Sequence, residues 1–205
     1  AAIVEITACA MRPVRTATVL QGDSRALFAG VGPVDQIVCS PPYPNSFDYT
    51  DVYNMELWML GYLKSSRGNA SLRRSTLSSH VQISRDFDQA PRTQTLDKAL
   101  RALNRVADDL WDVRIPAMVG AYFSDLQKLL QASARLLPPK GQAWFVVGDS
   151  QYAKVHVQVA KILTELAPAA GLRVERIAPF RSMRVSPQQS GRHKLSEDLV
   201  VFSRA

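Results

Sequence analysis

Two consecutive prolines placed directly after a short apolar run constrain this chain more than any other feature. Asp35-Gln36-Ile37-Val38-Cys39 reads as a strand, and Ser40-Pro41-Pro42-Tyr43 stops it. A proline fixes φ near −65° and has no amide hydrogen, so the strand cannot continue as a ladder through residues 41 and 42. An earlier β-branched run, Thr16 to Gln21, reads as a second strand and stops at Gly22-Asp23-Ser24-Arg25. In open α/β sheets ligands bind outside the carboxyl ends of the strands, so both polar clusters are expected at one crevice. Gly148-Asp149-Ser150, after the apolar run Gln142 to Val147, is a third contributor. Asp149 there reads equally as a ligand contact or as a residue that only closes the turn.

The rest of the chain alternates in the same way. Residues 1–12 read as a helix remnant, with Ile3, Ile6 and Ala10 at helical spacing. From Thr50, placed as the cap, a helix is predicted to Gly61 with Val52, Met55, Trp58 and Met59 on one face and Trp58 in the core. Helical patterning resumes over Leu96 to Trp111. It returns from Pro116, with Met118, Tyr122, Leu126, Leu129 and Leu130 on one stripe, and again over Val155 to Ala167. Gln142 to Val147 is apolar enough for a buried parallel strand, while Leu172 to Ala178 and Asp198 to Phe202 close the chain as an antiparallel edge. The expected fold is therefore α/β, a mostly parallel layered sheet with an antiparallel edge strand, in one domain spanning 1–205.

The net charge of +7 favours a polyanionic partner only where it is localised. Residues 64–95 localise it: Lys64, Arg67, Arg73, Arg74, Arg85 and Arg92 stand against Asp86 and Asp88, which is +4 of the total. This segment reads as a basic inserted loop suited to phosphate contacts, with Arg73 and Arg74 as candidates. A second basic run, holding Arg181, Arg184, Arg192, His193 and Lys194, joins the last two strands. Cys9 and Cys39 are too few for a disulfide framework, and the chain starts without a basic, apolar leader, so a reduced, cytoplasmic setting is expected. His80, His156 and His193 lack metal-ligand spacing, and no metal is expected.

The tetrapeptide has a chemical reading of its own. Its rigid carbonyls and the Ser40 hydroxyl can accept hydrogen bonds from an exocyclic amino group while Tyr43 stacks on the base that carries it. An aromatic amine is a poor nucleophile because its lone pair is delocalised into the ring. Acceptors that hold its protons pull the nitrogen toward tetrahedral geometry and free that pair for attack on a methyl sulfonium.

Residues 34–43, with Asp48-Tyr49-Thr50-Asp51 and Glu56-Leu57-Trp58 downstream, resemble the amino-directed DNA methyltransferases, which use S-adenosylmethionine. The likeness covers most of residues 17–203 and implies a Rossmann-like sheet, of which this chain carries the C-terminal portion. It implies that Ser40 and the Pro41 carbonyl hold the target amine and that Tyr43 stacks on an extruded base. Serine at the first position resembles the cytosine-N4 branch more than the adenine-N6 branch. By the same resemblance Asp23, with Ser24 and Ser40, would bind the cofactor. DNA would meet Asp48, Arg73, Arg74, Arg181, Arg184 and Lys194. The family's glycine-rich Phe-x-Gly-x-Gly loop is absent from these residues, so a missing N-terminal segment or a second polypeptide is expected to supply it. RNA base methylation, or a nucleic-acid-binding subunit without chemistry of its own, are the alternative readings.

Overall fold

In the computed structural model, residues 17–27, 30–183 and 195–205 are described. The expected helix over 1–12 lies outside them. Ala17 to Gln21 form no strand, and Val19 and Leu20 are exposed, because no neighbouring strand among the described residues pairs with them. A four-residue helix α1 (Ser24–Leu27) then precedes strand β1 (Gln36–Cys39).

After the double proline come two short helices, α2 (Tyr49–Val52) and α3 (Asn54–Met59), where one helix was expected. Asp48, not Thr50, is the cap: its carboxylate accepts from the Thr50 and Asp51 amides. The face expected to be core is on the surface, with Trp58 39% and Met59 80% exposed. Helical spacing marks an apolar face but does not say whether anything covers it.

Helix α4 (Ser66–Ser75) occupies part of the segment read as a basic loop, and residues 78–81 beyond it are buried. Helix α5 (Gln94–Arg105) is capped by the Thr93 hydroxyl and ends earlier than expected, in a 3-10 turn at Ala107–Asp109. Helix α6 (Ile115–Leu136) has sixteen of its 22 residues buried, so it runs through the core and does not rest on it by one stripe. Gly120 permits this: a Cβ there would lie 2.9 Å from the Ala90 Cβ.

Strand β2 (Gln142–Gly148) follows, then a hairpin of β3 (Ser150–Tyr152) and β4 (Val155–Val157). Ala153 and Lys154 at the hairpin tip have φ of 42° and 67°, the positive pair that a two-residue turn needs. The helix expected from Val155 therefore starts only at α7 (Val159–Leu166). Strands β5 (Leu172–Met183) and β6 (Leu195–Arg204) end the chain.

The main sheet has the order β1-β2-β6-β5. Only β1–β2 is parallel, with Gln36 opposite Gln142 and Cys39 opposite Phe145; β2–β6 and β6–β5 are antiparallel. The α/β class stands, but the mostly parallel sheet does not hold for the described residues. A parallel pair needs a long crossover, and the helices between residues 49 and 136 supply the one that joins β1 to β2. Strand β2 is not buried on both faces either. Ala143, Phe145 and Val147 enter the core, whereas Trp144 and Val146 are half-buried on the other face. The core lies between these residues, Val200 and Phe202 of β6, and helices α5, α6 and α7.

Leu126, fully buried near the middle of α6, tests this core. Leu126→Ala should lower the unfolding free energy in urea by about 2–5 kcal/mol, the usual range for truncating a packed leucine.

Candidate active site

The loop at the tip of β1 is fixed from several sides. The Tyr152 hydroxyl, on buried β3, donates to the Pro44 carbonyl at 2.8 Å. Ser46, at φ 60°, donates its amide to the Ser79 carbonyl at 2.9 Å and accepts the Gln82 side-chain amide on its own carbonyl at 2.8 Å. Between these anchors Pro41 is buried, Ser40 is exposed and Tyr43 is half-buried. The Ser40 and Tyr43 hydroxyl oxygens are 3.3 Å apart. No donor among the described residues reaches the Pro41 carbonyl. Tyr43 also donates to Glu197 of β6. Burial, with Glu197 second, pushes its phenol up to about 12, so at neutral pH it is a donor.

Asp48 and Arg73, both expected to face DNA, face each other. Arg73 Nη2 lies 2.6 Å from Asp48 Oδ2, and Asp48 is 5% exposed. Burial alone would raise that carboxyl, but hydrogen bonds from Thr50 and Arg73 outweigh it and hold the group below the ordinary aspartate range. Behind the pair, buried His80 puts Nε2 2.9 Å from Arg85 Nη2 and 3.4 Å from Asp48 Oδ2. Arg85 also donates through Nη2 and Nη1 to the carbonyls of Arg73 and Thr76. Much of the +4 charge read from residues 64–95 is thus consumed inside the fold. Arg74 remains exposed.

A cavity of about 230 Å³ opens beside the loop, lined by Ser24, Ser40, Pro41, Ile37, Phe145 and Ser133 among others. Two of the three expected cofactor residues, Ser24 and Ser40, meet there. The buried Ser133 hydroxyl has no hydrogen-bond partner among the described residues. The third, Asp23, lies in a separate polar cleft and is held by Arg25, whose Nη2 is 2.7 Å away; this contact lowers the carboxyl's pKa. Arg25 also reaches buried Asp125 at 2.7 Å.

The Asp149 side chain ties the β4 strand to the start of α7. It accepts from the Val159 amide at 2.8 Å, at the start of α7, and from His156 at 2.6 Å, and this partner raises the imidazole pKa. Arg181 pairs with Glu197. Arg184 and Lys194 lie outside the described residues.

Glu197, Tyr152 and Gln82 were missed by reading the sequence. Glu197 had a signal: it is a charged residue at alternate spacing from Leu195, Leu199 and Val201, sharing their face of the strand.

No family model matches the chain. It is 32% identical over 172 residues to the type II methyltransferase M.AvaI of a Nostoc species, covering 78% of this chain and 35% of that protein. It is 25% identical over 196 residues to the type II methyltransferase M.BsoBI of Geobacillus stearothermophilus, covering 83% and 38%. The chain spans about a third of the length of the curated relatives it matches. A solved structure of TTHA0409, a candidate DNA modification methylase from Thermus thermophilus, aligns with TM-score 0.46 at 16% identity, covering 89% of this chain and 52% of that one. The methyltransferase resemblance read around Ser40–Tyr43 is thus matched by sequence relatives over most of the chain.

His80 gives the site's scaffold a pH dependence. Burial, reinforced by Arg85 and Arg73 and opposed by Asp48, pushes its pKa down from 6.5 to about 4. A depressed histidine pKa means that the unfolded chain binds the proton more readily. The stabilisation is therefore complete above pH 6.5 and is lost progressively as the pH falls toward 4. Melting temperature measured across that window should fall, and His80→Gln, which does not titrate, should flatten the slope.

Proposed function

We propose that this chain carries the target-base site of an enzyme that transfers a methyl group from S-adenosylmethionine to an exocyclic amine of a DNA base, cytosine N4 ahead of adenine N6. The observation that carries this reading is the Ser40–Tyr43 loop, where a hydroxyl, an unused carbonyl and an aromatic ring are held together at a strand tip. The Ser40 hydroxyl and Pro41 carbonyl would take the two amino protons and turn the nitrogen lone pair out of the ring. Tyr43 would stack on the base. Oriented dipoles of this kind need little reorganisation as charge develops, and the methylated nitrogen is acidic enough to lose its proton without a strong base.

The chain's residues fit one end of the cofactor. Hydroxyls of Ser24, Ser40 and Ser133 around an apolar wall suit a nucleoside, and among the described residues no charged side chain lines that cavity to hold the amino-acid end. Its volume of about 230 Å³ is also below the ~300 Å³ at which ordinary ligand pockets begin. S-adenosylmethionine supplies an electrophilic methyl sulfonium. This chain's part is to present and orient the amine. Asp23 would contact the cofactor only by exchanging hydrogen bonds with Arg25. The whole chain is read as one methyltransferase domain. Arg74 and the basic residues around α4 are its candidate phosphate contacts, and duplex DNA would have to extrude the target base to reach the loop.

Labelled methyl transfer to unmethylated duplex DNA, with nucleoside mass spectrometry, tests the reading. N4-methylcytosine should form, and Ser40→Ala and Tyr43→Ala should each lower the rate about 100-fold or more without unfolding the chain, the scale of losing one preorganised polar contact. Near-normal turnover in both variants would sink the loop's assignment, and methylation of transfer RNA in preference to DNA would move the substrate to RNA.

A further inference from the structure

Tyr43 is tied to a carboxylate 154 residues away in the sequence. Glu197 stands on β6, opposite Gly148 of β2 and Arg181 of β5, and is 2% exposed. A carboxylate so buried needs partners for its charge. It has two: the Tyr43 hydroxyl, and Arg181, which donates through Nε to one oxygen and through Nη2 to the other at 3.2 Å. Burial would raise its pKa, but these contacts prevail and keep it ionised as an acceptor. On the other side of the Tyr43 hydroxyl is the Ser40 hydroxyl, 3.3 Å away. The Tyr43 ring is thus tethered at its far end to the sheet and is not free to swing away with its own loop.

We infer that Glu197 is a positioning residue, whose carboxylate fixes where the Tyr43 ring lies against the target base, with Arg181 holding the carboxylate in place. This rests on the methyl-transfer reading for its consequence, but the clasp itself does not. A ring tethered at its hydroxyl cannot swing away about χ1 before substrate arrives, so less of the binding energy goes into ordering it. A glutamate that merely sealed the β5–β6 edge would change stability and leave the chemical step alone.

The test uses four variants of the whole chain: Tyr43→Phe, Glu197→Leu, Glu197→Gln and the double variant Tyr43→Phe with Glu197→Leu. Phenylalanine keeps the stacking face and loses the bond, while glutamine keeps an acceptor oxygen and loses the charge. Each of the first two should lower kcat about 10-fold or more with KM for S-adenosylmethionine unchanged. The double variant should be no worse than the poorer single one, as for residues that act through one contact. Glu197→Gln should restore kcat to within about threefold of the starting chain. Multiplying losses in the double variant would overturn the proposal. So would a Glu197→Gln as damaged as Glu197→Leu, which would make the carboxylate a proton acceptor.

A readout without turnover runs beside these. With 3-fluorotyrosine incorporated, the Tyr43 fluorine resonance, assigned by its loss in Tyr43→Phe, should shift and broaden in Glu197→Leu and stay sharp in Glu197→Gln. An unchanged resonance in Glu197→Leu overturns the clasp. If the starting chain transfers no methyl group even with a Phe-x-Gly-x-Gly segment supplied, the methyl-transfer reading fails, and the fluorine spectrum decides the Glu197 inference alone.

Discussion

Strand β2 pairs on both sides, and the site depends on that double pairing. Its parallel ladder to β1 places Cys39 opposite Phe145, so the chain leaves β1 at Ser40 near the carboxyl end of β2. Its antiparallel ladder to β6 places Glu197 opposite Gly148 at that same end. A carboxylate on one neighbour thereby meets a tyrosine just beyond the other. Slipping either register by one residue would turn Glu197 or the loop to the opposite face, because side chains alternate along a strand. Phe145 and Phe202 share one core with the buried residues of α6 and α7.

The loop between β1 and α2 is rigid for reasons that differ at each end. At its start the two prolines limit the backbone by covalent geometry. At its finish an ionic cluster does the work: Asp48 caps α2 and binds Arg73, with His80 and Arg85 packed behind. A buried pair of this kind adds little net stability, since desolvation offsets attraction, but breaking it leaves an uncompensated charge. Such a cluster specifies one conformation of the loop more than it strengthens the fold. Asp48 and Arg73 thus support the site from behind it.

Exposed apolar side chains on α2 and α3 show where reading by periodicity fails. Val52, Met55, Trp58 and Met59 have helical spacing, and nothing in that spacing distinguishes a face against the core from one left open. The hairpin at residues 150–157 fails differently. Val155 to Val157 continues smoothly into the apolar pattern of α7, but the turn at Ala153 and Lys154 folds it back against β3 as a strand. Neither residue is a glycine or asparagine, so no turn signal marks the spot.

What the sequence determined by itself is local and covalent. Pro41 and Pro42 end β1 whatever the rest of the chain does, Ser40 and Tyr43 flank them, and apolar runs long enough for α6 and β2 carry their own burial. The α/β class follows from that alternation. Tertiary structure alone decided the partners. Whether β2 is mostly parallel or antiparallel to its neighbours, whether Arg73 faces phosphate or Asp48, and that Tyr43 meets Glu197 all depend on contacts between residues far apart in the chain. Those contacts are set by strand order and packing, which residue types specify only collectively.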